Sequence, residues 1–157
     1  MNITEHYLLE AIKLAHANLK KGGRPFGALV VKDGEIVATG VNEVLGTNDP
    51  TAHAELLAIR AASQKIGSPN LDGCSVYASG QPCPMCMAAM RLANVVDVTY
   101  AYSNDDGAPY GLSTAAIYAD LAKPFPEQTM KIRYVPTRPE SGPDLYAEWK
   151  RRQDKQT

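Results

Sequence analysis

From Glu5 to Lys20 the apolar side chains Leu8, Ile12, Ala15 and Leu19 recur in steps of three and four, and Gly22-Gly23 follows. That spacing predicts an amphipathic helix with a glycine stop. The period then shortens. Residues 27–32 and 35–39 are β-prone runs separated by Asp33-Gly34, a dipeptide that tolerates the positive φ of a tight turn, so the pattern predicts a hairpin. A polar loop through 46–50 leads to a second helix that begins around His53 and runs to Ile66, with Leu56, Ile59 and Ala62 on one face. Residues 74–79 read as a short strand. Pro82-Cys83-Pro84 then opens an apolar helical run, Met85 to Leu92, with proline acceptable in its first turn. Further on, the pattern predicts a strand over 95–102, a helix over 114–122, a strand over 130–135 and a C-terminal helix over 143–152 ending in a polar tail.

Strands that alternate with helices after an initial hairpin imply the α/β class: a three-layer α/β/α sandwich around a mixed five-stranded sheet. There is no internal repeat or low-complexity tract, and Lys123-Pro-Phe-Pro126 is too short to divide domains. A single domain over residues 1–157 is expected, with the helix at about 143–153 free to pack on its own core or on a partner's.

Composition narrows the class of function. Apolar residues make up 45% and charged residues 21% of the chain, the balance of a protein that folds around a buried core. Sixteen basic and seventeen acidic residues leave a formal net charge of −1, without the basic footprint that grips a phosphate backbone, so a long nucleic-acid partner is disfavoured. The first nine residues lack the basic-then-apolar order of a signal peptide, and no stretch approaches eighteen uninterrupted apolar residues; a cytoplasmic protein with no membrane partner is expected. Three cysteines, two of them only three positions apart, point to metal or thiol chemistry rather than a disulfide framework.

The chemistry concentrates in two segments, His53-Ala54-Glu55 and Pro82-Cys83-Pro84-Met85-Cys86, each at the start of a predicted helix. A Cys-x-x-Cys pair across a first helical turn puts both sulfurs on one side, so Cys83, Cys86 and His53 can supply three corners of a tetrahedron around Zn²⁺. A catalytic zinc keeps its fourth corner for water, whose pKa it lowers towards neutrality. No fourth ligand is well placed: His6 and His16 lie on the first helix and Cys74 opens a strand of its own. Glu55, two residues from a ligand, suits proton shuttling from water to a ring nitrogen and then to a departing amine. Two bland alternatives stand beside this one. A redox dithiol would leave the upstream His-x-Glu without a purpose, and a purely structural zinc module would need a fourth protein ligand.

With Pro25-Phe26-Gly27-Ala28, Asn42 and Asn48-Asp49-Pro50-Thr51-Ala52 added, the two segments resemble the cytidine deaminase superfamily, whose signature is His-x-Glu followed by Pro-Cys-x-x-Cys. Within it the segments and length are most similar to the small bacterial guanine deaminases, with tRNA adenosine deaminases as cousins. The resemblance runs from about Arg24 to Ala89 and more loosely beyond. It implies one Zn²⁺ per subunit, a small nucleobase or nucleoside substrate such as guanine, and a homodimer in which a C-terminal segment can complete a neighbour's site. It also implies substrate contacts at Asn42, at the Ala54 backbone amide and at Phe26. Residue by residue other readings stay open: Asn42 as a turn residue, Phe26 as core packing, and Tyr110 either as a wall of a purine pocket or as an ordinary aromatic. A tRNA adenosine deaminase and a cytosine- or cytidine-type deaminase are the rival enzymes. Three departures from the family pattern are visible: Gln81 where a glutamate is usual, Met90-Arg91-Leu92 where guanine deaminases tend to carry aromatics, and Gly111-Leu112-Ser113-Thr114 in place of an acidic segment.

Overall fold

A computed structural model describes residues 1–156. The chain's contacts fall into two compact units, Met1–Ala122 and Lys123–Thr157. The first opens with helix α1 (Ile3–Lys20), started by a capping box in which Asn2 accepts from the Glu5 amide and Glu5 accepts from the Asn2 amide. The hairpin follows as β1 (Gly27–Lys32) and β2 (Glu35–Val41), turning through Asp33 and Gly34, both at positive φ. Next come α2 (Val44–Thr47), α3 (Ala54–Ile66), β3 (Cys74–Gly80), α4 (Pro84–Leu92), β4 (Asp97–Tyr102), α5 (Asn104–Gly107) and α6 (Ala115–Leu121). The second unit carries α7 (Leu145–Gln156).

The sheet is mixed, in the order β2-β1-β3-β4: β1 runs antiparallel to both neighbours, and β3 and β4 are parallel, joined by the α4 crossover. Alternation along β1 separates the two faces. Ala28 and Val30 join Ala54, Ala58, Val76, Cys86 and Met90 in the core under α3 and α4, while Leu29 and Val31 face Tyr7 and Ala11 of α1. Helices therefore cover both faces, and each fully buried Leu or Val contributes roughly 1.5–3 kcal/mol. At one end of the sheet the carboxyl end of β3, the start of β1 and the end of β2 come together, where the Gly27 amide donates to Ser79 Oγ at 3.0 Å. Crevices at the carboxyl ends of parallel strands are where α/β sheets bind ligands.

The sheet has four strands, not the five predicted. Residues 131–139, which include most of the expected strand at 130–135, form no regular structure. Their alternation of long apolar and basic residues is that of a strand, but a strand exists only when a ladder satisfies its backbone, and no described strand pairs with them. The strand expected from Val95 begins at Asp97, because Val95 donates to Met90 O and closes the α4 turn. Helix α2 runs into the stretch 46–50 read as a loop, and α5 falls where no element is predicted; four residues are too few for a helical period to register.

Candidate active site

Both chemical segments sit at helix starts. His53 is the N-cap of α3 and Cys83 the N-cap of α4, each with extended backbone, and neither side chain caps its own helix. Freed from capping, the imidazole and the thiol meet. His53 Nδ1 lies 3.4 Å from Cys83 Sγ and 3.7 Å from Cys86 Sγ, and the three donor atoms all lie within 4.8 Å of one another. Ligand bonds of about 2.0–2.1 Å to nitrogen and 2.3 Å to sulfur at a tetrahedral angle put those atoms about 3.6 Å apart, so the observed spacings fit Zn²⁺ without rearrangement. The donor set, one imidazole and two sulfurs, is the soft combination zinc prefers.

Local hydrogen bonds hold the first ligand in register. Asp49 Oδ1 accepts from the Thr51 amide at 2.9 Å and from its hydroxyl at 2.6 Å, and the Glu43 amide donates to Ala52 O at 2.9 Å. Gly40 lets α3 approach β2 closely: a Cβ there would lie 2.3 Å from Ala54 O. For the second ligand, the Tyr118 hydroxyl of α6 donates to Pro82 O, and burial, with the nearby sulfurs adding to it, pushes that phenol up.

The electrostatics suit a cation. The hydrogen bond from Cys86, joined by one from His53, draws the Cys83 thiol down to about 4, and the buried Cys86, which donates to Cys83, is pushed up. His53 is raised chiefly by its hydrogen bond to Cys83. Two helix N-termini add positive potential on the same side as the sulfurs. Glu55 is 4% exposed, and that burial raises its carboxyl above the ordinary value.

Beside these groups is a cavity of about 60 Å³ lined by Arg24, Phe26, Asn42, His53, Ala54, Glu55, Gln81, Cys83 and Leu112. Of the residues singled out in the sequence, all but Cys86 and Tyr110 line it. Cys86 joins the donors from a fully buried position, and Tyr110, 79% exposed, lines a neighbouring groove of about 490 Å³. Asn42 combines two of its readings: its Oδ1 accepts from the Val44 amide at 3.1 Å, a turn role, while the residue faces the cavity. Sequence reasoning marked Gln81 and the segment holding Leu112 only as departures from the family pattern, and it missed Arg24 as a lining residue and also Asn18, whose buried Nδ2 donates to both Arg24 O and Asn42 O at 2.8 Å. A polar residue between Ala15 and Leu19 of an amphipathic helix was the available signal.

Residues 1–102 match the family model described as the cytidine and deoxycytidylate deaminase zinc-binding region. The chain belongs to that deaminase family. It is 44% identical to guanine deaminase of Bacillus subtilis (strain 168) over 132 residues, covering 83% of this chain and 85% of that protein. It is 34% identical to a tRNA-specific adenosine deaminase of Aquifex aeolicus (strain VF5) over 133 residues, covering 84% and 85%. The X-ray structure of guanine deaminase from Bacillus subtilis superposes with a TM-score of 0.84 at 39% identity over 98% of this chain and 95% of that one. The protein is a zinc-dependent deaminase, and His53, Cys83 and Cys86 form, among the described residues, the one group of three that could hold the ion. No described helix is long and apolar enough to cross a membrane.

Proposed function

We propose that this deaminase hydrolyses the exocyclic amine of a free nucleobase or nucleoside, guanine or a related aminated purine foremost, and releases ammonia. One observation carries the reading: a buried Glu55 stands two residues from a metal ligand, where two helix N-termini meet beside a small cavity. Similarity to the Bacillus guanine deaminase supports the choice of purine.

Zinc held by His53, Cys83 and Cys86 supplies an activated water as nucleophile. Glu55 is the catalytic acid and base. Its carboxylate accepts one proton from the attacking water and gives it to the ring nitrogen, then accepts the second proton of that water, from the hydroxyl it has become, and gives it to the leaving amine, so that a carbonyl and ammonia result; a carboxyl raised towards the working pH suits both transfers. Asn42 binds the base through Nδ2, since Val44 already occupies its Oδ1. The Ala54 amide, in the first turn of α3 where no intrahelical acceptor exists, donates to the ring. Phe26 stacks against it, lying over Gly80, where a Cβ would come within 3.1 Å of the phenyl ring. Tyr110 lies farther out and closes the groove.

The active unit in this proposal is a homodimer, with the C-terminal residues of one subunit exchanged onto the other. Support comes from β4, an edge strand with Tyr100 and Tyr102 exposed, and from α7, which exposes Leu145, Tyr146 and Trp149. Three free cysteines, two of them within reach of one metal, suit the reducing cytoplasm.

Ammonia release by the zinc-loaded protein against guanine, guanosine, adenine, cytosine, cytidine and tRNA tests the reading, with Glu55→Ala as control. Turnover of guanine or a related purine that disappears in the control is the expected result. Turnover of cytosine, cytidine or tRNA alone would replace the purine assignment, and silence across the panel with zinc bound would overturn it.

A further inference from the structure

Gln81 stands between the end of β3 and the metal-bearing start of α4. Its backbone amide donates to Tyr102 O at 2.7 Å, so its main chain is tied to β4. Its side chain is tied as well: Oε1 accepts from the backbone amide of Asn104 at 2.8 Å, and Asn104 Oδ1 in turn accepts from the Thr114 amide at 3.1 Å. The chain of contacts pins the 103–114 segment that brings Leu112 to the cavity.

This network decides which way the Gln81 amide points. A backbone N–H can only donate, so the atom opposite Asn104 must be oxygen, and the NH₂ group has to lie on the other branch. Among the described residues that Nε2 has no hydrogen-bond partner. A donor left over at the wall of a cavity is free to bind water or a ligand.

The position of that donor gives it a partner. The cavity at the metal donors holds about 60 Å³, room for the reacting edge of a ring and little else, whereas the adjoining groove holds about 490 Å³. Phe26, Gln81 and Leu112 line both, so a ring that reaches the metal donors from the groove crosses the seam they form. On the reading of the site as a purine deaminase, we propose that Gln81 is a specificity-determining residue whose Nε2 donates to an acceptor of the ring, an exocyclic oxygen or an unprotonated ring nitrogen. A glutamate here would keep the bond to Asn104 and present an acceptor in place of the donor. The seam therefore selects rings with a lone pair on that edge, where a carboxylate would select rings with an N–H.

Gln81→Glu isolates the donor, because it preserves the tether to Asn104. Wild type and variant are compared by kcat/KM for guanine, 2,6-diaminopurine, 3-deazaguanine and 7-deazaguanine, the last three each lacking one acceptor of guanine. Wild type should lose about 10- to 100-fold on one of the three, mostly in KM, as expected for a single buried hydrogen bond. Gln81→Glu should erase that step, or reverse it where the lost acceptor has become an amine. Amide hydrogen exchange at Asn104 should be the same in both proteins. An identical ranking in the two enzymes overturns the assignment while leaving the purine reading in place. A changed ranking together with lost protection at Asn104 assigns the effect to the segment's position and overturns the direct contact. No ammonia from any of the four with wild type overturns the purine reading and this assignment with it.

Discussion

Glu55 and His53 are two residues apart and face the same cavity, yet their environments give them separate tasks. His53 meets two sulfurs at 3.4 and 3.7 Å, a coordination geometry, while the Glu55 carboxyl is enclosed and raised by that enclosure, a proton-transfer setting. The two roles should separate experimentally. Glu55→Gln keeps the shape and removes the titratable oxygen, so zinc content should stay at one per subunit while turnover falls about 10²- to 10⁴-fold. Cys83→Ala removes a ligand and should lower zinc content itself, read by metal analysis after dialysis. Zinc loss in both variants would show that Glu55 supports the metal rather than the proton. Cys74, by contrast, is buried at the far end of β3, its thiol pushed up by that burial, and takes no part in the site.

Two helix N-termini make this site, so whatever sets their approach sets the chemistry. Gly40 of β2 is the tightest constraint: a Cβ there would come within 2.3 Å of Ala54 O and 2.6 Å of Ala58 N, backbone atoms that cannot swing aside. Gly40→Ala must therefore push the start of α3 off the sheet, carrying His53 and Glu55 away from the cysteines of α4. The expected cost is about 1–3 kcal/mol of stability from overpacking, with zinc affinity falling as well. Gly46, where an added Cβ would meet nothing within 4 Å beyond its own helix and chain neighbours, is the matched control, and Gly46→Ala should move stability by no more than about 0.5 kcal/mol. Thermal melts of both variants with and without chelator read the two effects. Equal, small shifts would mean that α3 accommodates the methyl and that the helix approach is not fixed at this glycine.

At the scale of the molecule the sheet has two edges, β2 and β4, each with a single neighbour, and the alternating residues at 130–135, with Met130 and Tyr134 exposed, pair with no described strand. Unpaired edges and uncovered apolar helices are what a second copy can satisfy. Sedimentation should give a dimer, and truncation after Gly142, which removes Leu145, Tyr146 and Trp149, should impair activity or solubility. A truncated protein of unchanged mass state and full turnover would count against the exchange of C-terminal residues.

What the sequence determined by itself was local: the hairpin from Asp33-Gly34 between two β-prone runs, α1 from its three- and four-residue steps, and the metal donors from a Cys-x-x-Cys and a His-x-Glu at helix starts. Each of these rests on neighbours within a turn or two, whose spacing is written directly in the chain. The tertiary structure alone decided what depends on pairing between distant segments. The fifth strand failed because residues 130–135 carry the alternation of a strand but cannot supply the partner that a ladder requires. Arg24, Gln81 and Leu112 became one wall only once the start of β1, the end of β3 and the 103–114 segment met at one end of the sheet. Gln81 shows the limit most plainly, since its identity is visible in the sequence, while the direction of its free donor depends on the Asn104 amide twenty-three residues further along the chain.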